Sequence, residues 1–140
     1  MNSLPPEIYE RVHELTLAIT NAFEAGDRAL CDSLSLNLRD FYDEQVARGR
    51  AHPFLTEATA DYTEDAAEAV RLYELALEQA LAFPGEPTHT KLISLAERLV
   101  ELDRREQAEA CLRAGRAEAV RGEDTFWIEE AGRLLRELAG

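Results

Sequence analysis

Apolar residues in this chain return every three or four positions and almost nowhere every second one. Ile8, Val12, Leu15, Ile19 and Phe23 are spaced by four and three, which places them on one face of an α-helix. A chain that must bury such stripes, with no alternating segment to build a sheet, is confined to packing helix on helix. Ala, Leu, Glu and Arg dominate and β-branched residues are scarce, so intrinsic propensity agrees. The expected class is all-α. With 140 residues, 46% of them hydrophobic, one domain over 1–140 is expected. Such a chain buries about two-thirds of its unfolded surface.

Breakers divide the pattern into about six helices. Pro5 or Pro6 suits a first helical turn, and Gly26 with Asp27 ends one helix and caps the next. The second helix carries Cys31, Leu34, Leu38, Phe41 and Gln45 or Val46 inward and ends near Gly49. Pro53 interrupts residues 50–63, an expected irregular excursion in which Phe54 to Ala60 could form a turn or two. A third helix is expected over Glu64–Phe83, a fourth over Thr90–Leu102, a fifth over Arg104–Arg121 ended by Gly122, and a sixth after Asp124 or Thr125. Short joints make consecutive helices antiparallel.

Residues 94–119, "SLAERLVELDRREQAEACLRAGRAEA", contain a break at Leu102–Arg105 with neither Gly nor Pro in it. Asp103 and Glu106 have the spacing of a capping box, which restarts a helix by satisfying its first N–H groups. Ala96, Ala108 and Gly115 are small residues placed where the two helices would touch.

Leu92, Leu95-Ala96, Leu99, Ala108, Leu112 and Gly115 fall at the marked positions of a helix pair that resembles a tetratricopeptide repeat. Val120 stands where that repeat ends in Pro. Partial copies flank it: Ala69, Tyr73 and Ala76 on one side, Ala131-Gly132 and Leu135 on the other, with a further Gly-turn-small pattern at Gly26 and Cys31. The resemblance implies a right-handed superhelix of antiparallel pairs whose concave groove binds proteins or peptides. Its groove positions fall on Thr90, Ile93, Glu97, Val100 and Glu101. The Lys and Asn that clamp a carboxylate in some members are replaced by Ile93 and Glu97, so an acidic peptide tail is not the expected ligand.

The formal charge is −13, from 15 basic and 28 acidic side chains. That field disfavours nucleic acid and anionic membranes and attracts basic proteins. No Lys or Arg occurs between Arg50 and Arg71, where Glu57, Asp61, Glu64, Asp65 and Glu68 gather. Phe54 and Tyr62 among these carboxylates form a second candidate interface beside the groove.

No Gly-rich phosphate loop, Cys-x-x-Cys or Gly-x-Ser-x-Gly occurs, so no enzyme and no cofactor are expected. Glu10-x-x-His13 and Glu86-x-x-His89 have the spacing used in di-iron bundles, a remote alternative. Glu86, between Pro84 and Pro87, is expected in a loop off any shared helix face. Cys31 and Cys111 lie in apolar stripes and read as small core residues. Phe126, Trp127 and Ile128 cannot all face one core, so the last helix is expected to cap the stack or to pair weakly with a second copy. No apolar run reaches membrane length and Met1–Glu10 lacks a signal-peptide pattern, so the cytoplasm is the expected compartment. These features together give a non-enzymatic module for a basic protein or peptide. An immunity protein neutralising a toxin is one version; a secretion chaperone or adaptor is the alternative.

Overall fold

Pro6 occupies the first turn of the first helix, where its missing N–H removes no helical bond. The computed structural model describes residues 4–140, and among them seven helices and no strand occur. They are α1 (Pro6–Glu24), α2 (Arg28–Ala47), α3 (Pro53–Asp61), α4 (Ala66–Ala80), α5 (His89–Glu101), α6 (Arg105–Arg121) and α7 (Thr125–Ala139). The class is all-α, with one helix more than the six expected.

The additional helix is α3, in the stretch expected to be irregular. Pro53 starts this helix instead of excluding one, because a proline at the first position displaces no bond. His52 caps it: the backbone N–H of Phe54 donates to Nδ1 at 3.1 Å. Burial pushes the His52 imidazole below its ordinary pKa, which keeps that acceptor nitrogen unprotonated. Leu55, Thr56 and Ala60 on α3 are fully buried. The segment is core, not a surface loop.

Four joints between helices share one backbone solution. Gly26, Gly49, Asp103 and Glu123 have φ of 73°, 77°, 59° and 54°. The next residue in each case donates to a carbonyl five positions back, at 2.9 Å for Asp27 to Ala22, Arg50 to Gln45, Arg104 to Leu99 and Asp124 to Ala119. This is Schellman closure. The break at Leu102–Arg105 is therefore a helix end made without glycine. Asp103 is not the N-cap expected of it: its own N–H goes to Val100 at 3.0 Å, and Arg104 holds the N-cap position with no side-chain bond. Gly122 likewise sits one residue before the left-handed position, which Glu123 takes. Replacing either acid by glycine is expected to stabilise the fold by about 0.5–1 kcal/mol, since left-handed backbone costs an L side chain about 1–2 kcal/mol and glycine gives back part of that in unfolded entropy. The two sites lie at opposite ends of α6, so Asp103→Gly and Glu123→Gly should add in a urea titration. Gly26→Ala should shift the midpoint the other way.

Packing follows chain order. α1 lies on α2, α3 on α4, α4 on α5, α5 on α6 and α6 on α7, while α5 also reaches α7 and α1 reaches α3. Ile8, Val12, Leu15 and Ile19 are the buried face of α1, as their spacing requires, but Phe23 is 76% exposed and Ala22 turns inward. Ala96, Ala108 and Gly115 are buried at the α5–α6 contact. Cys31 and Cys111 are free thiols, each only partly buried. On α7 the exposed Phe126 packs edge-on to Trp127 at 5.4 Å, and Ala131 is the helix's buried residue.

Candidate functional site

The main core runs from Leu4 through Leu95 and Leu112 to Ala131, but Leu15, Ile19 and Leu38 form a separate small cluster within the α1–α2 hairpin. The hairpin therefore meets the rest of the chain mainly at one end, and α2 only brushes α3. Between the far half of the hairpin and the end of α3 lies an open groove with a cavity volume of about 930 Å³. Ile19 and Phe23 of α1, Cys31 and Leu36 of α2, and Tyr62 after α3 give it apolar walls. Leu36 is 65% exposed and Phe23 is exposed as well, so the hairpin side of the groove presents large apolar side chains to water. Covering such a side chain contributes about 1.5–3 kcal/mol, which is why exposed apolar clusters mark interaction sites.

Ion pairs border the groove. Arg28 at the start of α2 reaches Glu64 at 3.2 Å and Asp32 at 3.5 Å. Arg39 pairs with Glu68 at 2.8 Å and with Asp43 at 3.2 Å. Glu68 also takes two bonds from Arg71, and the Arg71 and Arg39 guanidinium groups hold its carboxyl down at about 2. Arg98 reaches over from α5 and donates to the carbonyls of Thr63 at 2.6 Å and Glu64 at 3.3 Å. Every arginine lining the groove is thus already matched.

Asp61, the last residue of α3, differs. It is open along the groove, yet protein atoms crowd its carboxylate, and Oδ1 accepts from the Tyr73 hydroxyl at 2.5 Å. Desolvation pushes its carboxyl up to about 6, against the lowering effect of the Tyr73 bond. Among the described residues no ion pair to Asp61 forms.

The residues expected from sequence to bind a partner are scattered over three places. Asp61 and Tyr62 line the groove. Glu97 and Glu101 are exposed on α5, where Glu101 meets Arg98 at 3.4 Å and desolvation, then Glu130, raise the Glu97 carboxyl above its usual range. The remaining four have internal duties. Ile93 is fully buried and cannot line a groove, because the α5 face that bears it is pressed onto α6 at Gly115. Thr90 donates to Glu57 at 2.7 Å, and Phe54 lies half-buried against Tyr9 with ring centroids 4.8 Å apart.

Glu57 belongs to a charge cluster that sequence reasoning missed. Lys91 on α5 is 0% exposed, with Nζ 2.8 Å from Glu57, 3.4 Å from Glu86 and 2.6 Å from the Pro87 carbonyl. All three ammonium protons are used. This cluster ties α3, α5 and the segment between α4 and α5 together and leaves no free valence for a ligand. Of the residues spaced as in di-iron bundles, Glu10 and His13 are exposed on α1, Glu86 is held by Lys91, and His89 lies 2.9 Å from Asp124. No family model, curated protein or solved structure matches the chain.

Proposed function

We propose that the chain is a non-enzymatic protein-binding module for a basic polypeptide, with its helix pairs stacked in the manner of tetratricopeptide-like proteins. The observation that carries this reading is an open groove with exposed apolar walls on a chain of formal charge −13. The apolar walls supply affinity, and the surplus of carboxylates speeds encounter with cationic partners and repels anionic ones. The order α1–α2, α3–α4, α5–α6, with α7 beginning a fourth pair, is compatible with such stacking. Neutralising a basic toxin as an immunity protein is the specific version this charge favours; a secretion chaperone for a basic client shares the same chemistry.

The expected result of a low-salt pull-down with the full chain is a polypeptide of basic isoelectric point that is released as salt is raised. Its dissociation constant should rise steeply with ionic strength, because exposed charges are screened within a Debye length of about 8 Å at physiological salt. An acidic partner held through high salt would defeat the reading.

A further inference from the structure

We infer that the groove between the α1–α2 hairpin and the end of α3 receives an amphipathic helix from the basic partner, with one lysine or arginine of that helix seated on Asp61. This occupant rests on the basic-partner reading above and goes further by fixing the place, the shape and the anchoring contact.

Charge complementarity selects the occupant. Arg28, Arg39 and Arg98 bring three guanidinium groups to the groove, and each already meets a carboxylate or a pair of carbonyls. Asp32 and Glu64, the other carboxylates lining it, are paired with Arg28. Asp61 is the carboxylate left without a cation. Its Oδ1 is fixed by the Tyr73 hydroxyl, which orients the group and leaves Oδ2 to accept from an incoming ammonium or guanidinium.

The walls select the shape. Phe23 of α1 and Leu36 of α2 both line the groove and are exposed along an open trough, not enclosed around a small ligand. A trough of apolar side chains with charged borders fits the apolar face of a helix, whose anchors recur at three and four residues.

The same carboxylate makes the contact sensitive to pH. Tyr73 of α4, Glu57 of α3, and Lys91 and Arg98 of α5 act on it, while Arg28, Asp32 and Arg39 of α2 and Glu64 line the same groove. With its carboxyl at about 6, Asp61 is ionised at neutral pH and protonated in mild acid, where lysine and arginine keep their charge. A cationic ligand binds the ionised form, so affinity is full above that value and falls as pH drops through it.

The test titrates two synthetic helical peptides into the full chain by calorimetry. One has a leucine face and a lysine face, and in the other every lysine is replaced by glutamine. The lysine peptide is expected to bind about tenfold more tightly at neutral pH than near pH 5, the size of one charge-assisted hydrogen bond. Asp61→Asn, which keeps an acceptor for Tyr73, should lose about tenfold at neutral pH and abolish the pH dependence. Asp40→Asn changes the net charge equally outside the groove and should alter affinity less than about twofold. Phe23→Ser with Leu36→Ser should weaken both peptides without unfolding the chain, since both side chains are exposed. Unchanged lysine-peptide affinity in Asp61→Asn and in the serine variant would overturn the groove assignment while leaving a basic partner elsewhere, on the Glu97–Glu101 face. Equal binding of the lysine and glutamine peptides by the unmodified chain would overturn both.

Discussion

Lys91→Met is expected to cost about 3–5 kcal/mol of folding stability, the range found when one member of a buried ion pair is removed. The loss comes less from the attraction deleted than from the two carboxylates left behind. Glu57 and Glu86 have side chains only 16% and 19% exposed, and Lys91 is their partner at 2.8 Å and 3.4 Å. A domain is stable by about 5–15 kcal/mol in total, so the variant should be near its limit at room temperature. The mechanism has a second signature. Adding Glu57→Gln and Glu86→Gln to Lys91→Met should recover most of the loss, because an apolar and amide replacement of the whole cluster leaves no charge unpaired. Urea titrations of the parent, the single and the triple variants measure both effects. A single-variant loss below about 1 kcal/mol would show that water reaches these carboxylates after all. Lys91 also offers its own probe: it is the chain's only lysine, so an amine-directed reagent should modify its side chain only as fast as α5 opens.

That lysine shows where the sequence is legible and where it is not. A lone Lys among fourteen Arg, four positions before Leu95 and eight before Leu99, was a readable signal that one cation lies on a core stripe. What could not be read was its partners, because Glu57 and Glu86 come from segments whose placement depends on the tertiary fold. The helical class and the inward face of α1 follow from period alone, since a stripe of Ile8, Val12, Leu15 and Ile19 has one way to be buried. Helix ends followed less well. Pro53 suggests a breaker because helix propensity penalises proline inside a helix, whereas its effect reverses at the first position. Asp103 suggests a cap because Asp-x-x-Glu fits one, yet the backbone closes the preceding helix first and puts Asp103 in the left-handed region.

The groove was half legible for a related reason. Asp61 and Tyr62 stand out in a segment without cations, but Phe23 belongs to the inward α1 stripe by its spacing, and nothing in the sequence marks Leu36. Periodicity reports which residues share a face and is silent on how far that face is covered. Phe23 continues the α1 stripe past the point where α2 and α3 still cover it, so a core-type residue ends on an open wall. Resemblance to a repeat groove points to Glu97 and Glu101, and both reach solvent. The same resemblance points to Ile93, which does not, because Gly115 lets α6 close over it.

That close approach sets the other large expected effect. A Cβ on Gly115 would lie 2.8 Å from Ile93 Cγ1, 3.2 Å from Leu92 Cβ and 3.4 Å from the His89 carbonyl. In an open helix, Gly→Ala stabilises by about 1 kcal/mol, so the sign here depends on whether α5 can yield. Ile93 is fully buried and β-branched, which leaves it one favoured rotamer in a helix, and Cγ1 sits too near the backbone to swing aside. The other two contacts are backbone or next to it, so relief requires α5 to move as a body against α4 and α7. Overpacking of this kind costs about 1–3 kcal/mol, more than the propensity gain. Gly115→Ala should therefore destabilise by about 1 kcal/mol net, and Gly115→Val, which adds branching to the same clash, by about 3 kcal/mol. A double-mutant cycle identifies the cause. In an Ile93→Ala background the closest clash is gone, and Gly115→Ala should become neutral or stabilising as propensity takes over. If the alanine stabilises the unmodified chain by its full propensity value, α5 and α6 stand farther apart than these distances, and Ile93 regains the opening toward solvent that Gly115 denies it.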